Sequence, residues 1–240
     1  MLNMNNRIEG LFFGQLVGDA LGTKYEFKRK NRVIDLLLED IKNNKLVILG
    51  GGPHNVKPGQ YTDDSELALG IWYFILTKNK YDLEDISNQF YLWYTSSPFD
   101  VGRATMKAFD GSDTLNKMLL NAQSNRFSLS NGCLMKISGI ASINILTGHS
   151  YNLEKLAEDL CILTNPHLMC IDICKCYVIA LECALKTGNP QIAYKNALSC
   201  AKLEITKQIL HDSLTKMNPV KILNTEGNIG HIDTDTSQQG

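Results

Sequence analysis

"GQYTDDSELALGIW" runs from Gly59 to Trp72. Thr62, Asp63 and Asp64 stand directly before a run that is apolar at helical spacing. Asp63 and Glu66 have the spacing of a capping box, with Asp63 as N-cap and Glu66 at the third helical position. Such a cap stabilises a helix by about 1 kcal/mol. It uses one aspartate and one glutamate, and leaves Asp64 unexplained. Helix capping and metal ligation both stay open on these residues alone, capping being the more ordinary.

Helical periodicity continues on both sides. Residues 8–21 carry Ile8, Leu11, Phe12, Leu16, Val17 and Ala20 at helix-like intervals. Gly10, Gly14, Gly18 and Gly22 fall four apart and form one stripe. Each glycine in a helix interior costs about 1 kcal/mol relative to alanine, so a helix or a ligand is expected close to that face. Residues 31–48 read as helical, turning β-prone at Leu46, Val47 and Ile48, and residues 50–60 as a loop. Further helices are expected at 65–77, 82–94, 102–109, 113–121, 133–146, 152–163, 167–186, 190–202 and 204–216. Long strands are missing and proline is scarce. The expected fold class is all-α, one domain over residues 1–240, with residues 220–240 a polar loop or tail.

Composition narrows the function. Apolar residues make up 44% and charged residues 20%, and the net charge is −1. No global field would draw in nucleic acid or an anionic membrane. No apolar run reaches the roughly 18–20 residues of a membrane helix. Seven cysteines and no apolar leader favour a reducing, cytoplasmic setting with free thiols. Cys170 and Cys174 share a stripe with Ile173, Tyr177, Val178 and Leu181 and read as core. Zinc on Cys170, Cys174, Cys176 and Cys183 is the lesser reading, because their spacing is not C-x-x-C. His54 and His149 read as surface residues, and Trp72 and Trp93 as core.

A second acidic block lies near the other end. "HIDTDTSQQG" holds Asp233, Asp235 and Thr236. Carboxylate and hydroxyl oxygens without histidine or cysteine suit a hard divalent cation, Mg²⁺ or Mn²⁺. Two such clusters brought together could hold two ions and relieve the repulsion among their charges.

"GLFFGQLVGDALGTKYEF", "GQYTDDSELAL", "SSPFDVGRAT", "SNGCLMKISGIA" and "IDTDT" occur in this order over nearly the whole chain. The set resembles the ADP-ribosylglycohydrolases, most nearly the dinitrogenase reductase-activating glycohydrolase branch. The resemblance implies an orthogonal multi-helix bundle with two Mg²⁺ or Mn²⁺ ions in a cleft. It implies Thr62, Asp63, Asp64, Asp233, Asp235 and Thr236 as metal ligands. It implies hydrolysis of the bond between ADP-ribose and a protein side chain, with arginine favoured by the block at Pro98 to Gly102. Glu26 matches a glutamate at the metal site, and Asp100 an aspartate against the scissile bond; either would assist water or the developing positive ribose, and Asp63 is the third catalytic candidate. Gly102, Ser128, Asn131 and Gly132 match segments that hold the phosphates and distal ribose, and Phe127 would stack on adenine or pack on its own helix. Asn165 stands where the family carries a histidine, and His167 follows two residues on, so the adenine side is expected to differ. His231 and Ile232 replace small residues, and only four residues follow Thr236, too few for a stable helix. The expected partner is an ADP-ribosylated protein or small molecule, met by a monomer. A member that binds ADP-ribose, or serves a structural crystallin-like role, without turnover is the alternative.

Overall fold

The computed structural model describes residues 3–43 and 47–215. Asp233, Asp235 and Thr236, and with them the expected polar tail, lie outside the described residues.

Eleven α-helices run through the described chain: α1 (Met4–Gly22), α2 (Lys30–Lys42), α3 (Asp63–Lys78), α4 (Leu83–Thr95), α5 (Arg103–Phe109), α6 (Leu115–Ala122), α7 (Ile143–Thr147), α8 (Leu153–Ile162), α9 (Leu168–Thr187), α10 (Pro190–Cys200) and α11 (Glu204–Thr215). There is no strand among the described residues, only an isolated bridge between Gly51 and Val56 in the 50–60 loop. The fold is all-α. No helix among the described residues is long and apolar enough to cross a membrane.

Local chemistry sets most helix ends. Asp82, Thr114, Asn152 and Asn189 each accept a backbone N–H of the helix that follows, and Pro190 takes the first position of α10. Asn79, Gly148 and Gly188 end α3, α7 and α9 in the left-handed conformation. One core joins α3, α4, α5, α6, α8 and α9, through Leu67, Ile71, Phe74, Phe90, Phe109, Met118, Leu160 and Val178. Helix α9 packs on both α8 and α10 and also meets α1.

Three expectations are corrected. The helix over 133–146 is broken into turns: 3₁₀ segments at Asn131–Cys133 and Ser138–Ser142 precede the short α7. The reason is crowding against α3, since a Cβ on Gly139 would lie 3.0 Å from Trp72 Nε1. The helix over 31–48 stops at Lys42, and Val47 and Ile48 are not in a strand. Of the helix or ligand expected at the glycine stripe of α1, the helix is corrected: a Cβ at Gly10, Gly14, Gly18 or Gly22 would meet nothing within 4 Å among the described residues. The stripe instead helps line a groove with Arg7, Asp19, Tyr177 and Leu181.

Candidate active site

The N-terminus of α3 is capped from another helix. Thr62 is the N-cap residue, but its side chain makes no capping bond. Asp19, near the end of α1, does that work. Its Oδ2 accepts from Thr62 N and Ser65 N at 3.0 Å each, and its Oδ1 accepts from Thr62 Oγ1 at 2.9 Å. The capping box expected of Asp63 and Glu66 is therefore absent. Asp63 is the first helical residue, and its Oδ2 accepts from Gly102 N at 3.0 Å. Glu66 accepts from Trp93 Nε1 at 2.7 Å. A charged acceptor on a neighbouring helix meets the orphan N–H groups and the positive end of the helix dipole. That leaves the carboxylates of Asp63 and Asp64 for other work.

The bond from Gly102 ties the T-D-D block to the P-F-D-V-G block. Asp100 and Glu26 are both held near His54, whose Nε2 is 3.3 Å from Asp100 Oδ2 and 3.7 Å from Glu26 Oε2. One ligand atom from each of Glu26, His54 and Asp100 lies within 4.8 Å of the others. The His54 ring meets Phe27 and Phe99 edge-on. The surface position expected for His54 is thus corrected: it is partly buried, and its Nε2 is enclosed without a hydrogen bond of good geometry.

Negative charge is in excess here. Burial, then Asp100, Asp63 and Asp19, push the Glu26 carboxyl up to about 7. Burial and Asp100 push Asp63 up to about 7, against the opposing pull of the Gly102 N–H. Burial and the charges of Asp63, Asp19, Glu26 and Asp100 hold Asp64 well above the ordinary carboxylate range. Such a cluster takes up either protons or a cation. Its carboxylate oxygens, with the Thr62 hydroxyl beside them, fit a hard divalent ion, His54 Nε2 being the nitrogen at its edge. Thr62 gives its proton to Asp19, so its lone pairs remain free to face one.

A loop of small residues adjoins the carboxylates. A Cβ on Gly102 would lie 3.7 Å from Asp63 Oδ2 and 3.8 Å from Thr105 Oγ1. A Cβ on Gly132 would lie 3.3 Å from the same Thr105 Oγ1 and 3.4 Å from Asn165 Oδ1. Asn165 donates to Ser130 Oγ at 3.1 Å and Ser128 Oγ at 3.3 Å. Thr105 Oγ1 and Asn165 Oδ1 are buried without a hydrogen-bond partner. Thr105 Oγ1 thus lies near both Gly102 and Gly132. Asn131 opens the turn that holds Gly132. Phe127 is 78% exposed, with the Arg126 guanidinium 4.7 Å from its ring centre. His167 is the N-cap of α9, its Nδ1 accepting from Met169 N at 3.1 Å. Asp19, His54, Thr105 and Asn165 carry the cluster's geometry, and of these the sequence reading singled out only Asn165 within the cleft. An acid inside the apolar, glycine-striped α1 was the available signal for Asp19.

Fold and side-chain geometry define an all-α protein whose crowded acidic cluster adjoins a serine- and glycine-rich loop. The chain belongs to the ADP-ribosylglycohydrolase family, whose model matches residues 2–232. It is 38% identical over 100 residues to an ADP-ribosyl-[dinitrogen reductase] glycohydrolase of Rhodospirillum rubrum, covering 42% of this chain and 32% of that one. It is 30% identical over 113 residues to an ADP-ribosylarginine hydrolase of Pseudomonas putida, covering 44% of this chain and 28% of the relative. These matches span less than half of either relative's length. A solved chain of an ADP-ribosylglycohydrolase-related protein complex superposes with a TM-score of 0.65 over 88% of this chain and 68% of its own, at 20% identity. That likeness establishes the fold.

Proposed function

We propose that this chain is a metal-dependent glycohydrolase that removes ADP-ribose from modified arginine side chains. The observation that carries the reading is the crowding of Asp63, Asp64, Glu26 and Asp100, each of the first three pushed above its ordinary proton affinity. Thr62, Asp63 and Asp64, with Asp233, Asp235 and Thr236 from outside the described residues, would hold two Mg²⁺ or Mn²⁺ ions. Bound ions supply charge neutralisation and Lewis acidity at the ribose.

The chain's own groups do the rest. Cleavage of an N-glycosidic bond passes through an oxocarbenium-like state, with positive charge on the ribose. The Asp100 and Glu26 carboxylates stand ready to face that charge or to take the proton of an attacking water. A Glu26 affinity near 7 matches reversible proton transfer at neutral pH. Gly102 and Gly132 allow a diphosphate close to the backbone, and Ser128 and Asn131 border it. Phe127 offers an exposed ring to the adenine, and His167 shapes that side by holding α9. Arginine as the acceptor is supported by the block at Pro98–Gly102 and by the names of the two relatives.

The test is release of ADP-ribose from ADP-ribosyl-arginine with Mg²⁺ and with EDTA. Release is expected with Mg²⁺ and lost with EDTA, and Asp64→Asn is expected to lower it by about 100-fold. Tight ADP-ribose binding with no release would instead establish a binding protein and overturn the reading.

A further inference from the structure

Against the 128–133 loop the fold gathers a second group of side chains. Cys133 closes the turn Asn131–Cys133, Cys161 stands in the last turn of α8, and Cys174 lies in α9. Their three sulfurs lie within 4.8 Å of one another, and all three residues are fully buried. Cys170, one turn before Cys174 on the same face of α9, donates to Ser128 O at 3.5 Å. Cys176 and Cys183 do not join this group. Cys176 packs instead with Cys200 in a separate small cluster, and Cys183 is only half-buried.

A second observation lies beside the sulfurs. Lys136 is 0% exposed, and its Nζ donates to Gly132 O and Thr164 Oγ1, both neutral oxygens. A buried ammonium is costly unless negative charge lies close by. Burial lowers the Lys136 proton affinity below the ordinary lysine range, and negative charge on the sulfurs of Cys133, Cys161 and Cys174 would work against that. The neighbouring thiols of Cys161, Cys170 and Cys174, then the Lys136 charge, pull Cys133 well below the ordinary thiol range, whereas burial first of all holds Cys161 and Cys174 well above it.

We propose that Cys133, Cys161 and Cys174 form a buried three-thiolate site for one zinc ion, closed by the neutral Cys170 thiol as the neighbouring fourth sulfur, with Lys136 as its built-in counter-charge. Clustered thiolates select soft cations, Zn²⁺ or Cu⁺. Charge decides between them. Three thiolates leave one negative charge on zinc, which the Lys136 ammonium balances, and two on cuprous copper. Sulfurs around a tetrahedral zinc stand about 3.8 Å apart for a Zn–S length of about 2.3 Å, so the trio need close by no more than about 1 Å. Binding breaks S–H bonds heterolytically, releases their protons to solvent, forms Zn–S bonds and transfers no electron. A closed site of this kind is structural. It would pin the turn carrying Gly132 to α8 and α9 and so fix the loop that borders the acidic cleft. It is independent of the proposed hydrolysis, since its donors are sulfur and those of the cleft are oxygen.

The full chain is unfolded under reducing conditions, refolded with ZnCl₂ or CoCl₂, and dialysed. Expected are about one zinc per chain and, in the cobalt form, a sulfur-to-cobalt charge-transfer band in the near ultraviolet. Cys133→Ala and Cys174→Ser should each lower zinc content at least tenfold, whereas Cys183→Ala and Asp64→Asn should keep it. Should the cluster variants fail to fold, the cobalt band of the unsubstituted chain still decides. Refolded chain without zinc, cobalt without the band, or zinc loss in Asp64→Asn would each overturn the proposal.

Discussion

Asp19 holds the N-terminus of α3 through three hydrogen bonds from Thr62 and Ser65. Its carboxylate sets where the two following aspartates point. Asp19→Ala should therefore lower stability by about 1–2 kcal/mol in urea unfolding with Mg²⁺ present. Asp19→Asn, which keeps an acceptor, should lose less, and equal stability of all three proteins would contradict the capping role. The residue types at 62–64 left capping and metal ligation both open. Which group caps the helix was not legible, because the capping-box spacing of Asp63 and Glu66 cannot reveal a carboxylate 43 residues before Thr62. His54 was read as surface for the same reason: only the fold brings the 50–60 loop between Glu26 and Asp100.

At the scale of elements, periodicity reproduced the long helices and failed where backbones pass closely. The segment at 133–146 has helical spacing, but Gly139 lies against Trp72 and the chain turns there in 3₁₀ form. Gly139→Ala should cost about 1–3 kcal/mol by overpacking, measured by thermal or urea unfolding. The glycines of α1 predict the opposite sign. A Cβ on Gly14 meets nothing within 4 Å, so Gly14→Ala should stabilise the fold by about 0.5–1 kcal/mol. A loss of stability in Gly14→Ala would mean that some part of the chain packs on that stripe.

Over the whole molecule, the all-α class and the order of the motif blocks were readable from the sequence, because each block keeps its residue types at short range. The meeting of distant blocks was not, and the bonds of Asp19 to Thr62 and Ser65 and of Gly102 to Asp63 bring three of them together. The acidic cluster then governs pH dependence. Glu26 and Asp63 are pushed up to about 7 from ordinary values near 4. Between those values the folded chain holds more protons than the unfolded chain, so stability falls as pH rises. In EDTA the protein should be less stable at pH 8 than at pH 5, by on the order of 2–4 kcal/mol. Added Mg²⁺ should recover much of the loss at pH 8, where it replaces protons in the cluster. A melting temperature that stays flat or rises over that range in EDTA would contradict the crowding.

Counting Mn²⁺ bound by the full chain, by paramagnetic resonance, tests the central claim most directly, comparing the unsubstituted protein with Asp64→Asn and Asp235→Asn. The expected result is two ions per chain, with at least tenfold weaker binding in both variants. Unchanged Mn²⁺ binding in Asp64→Asn would contradict it.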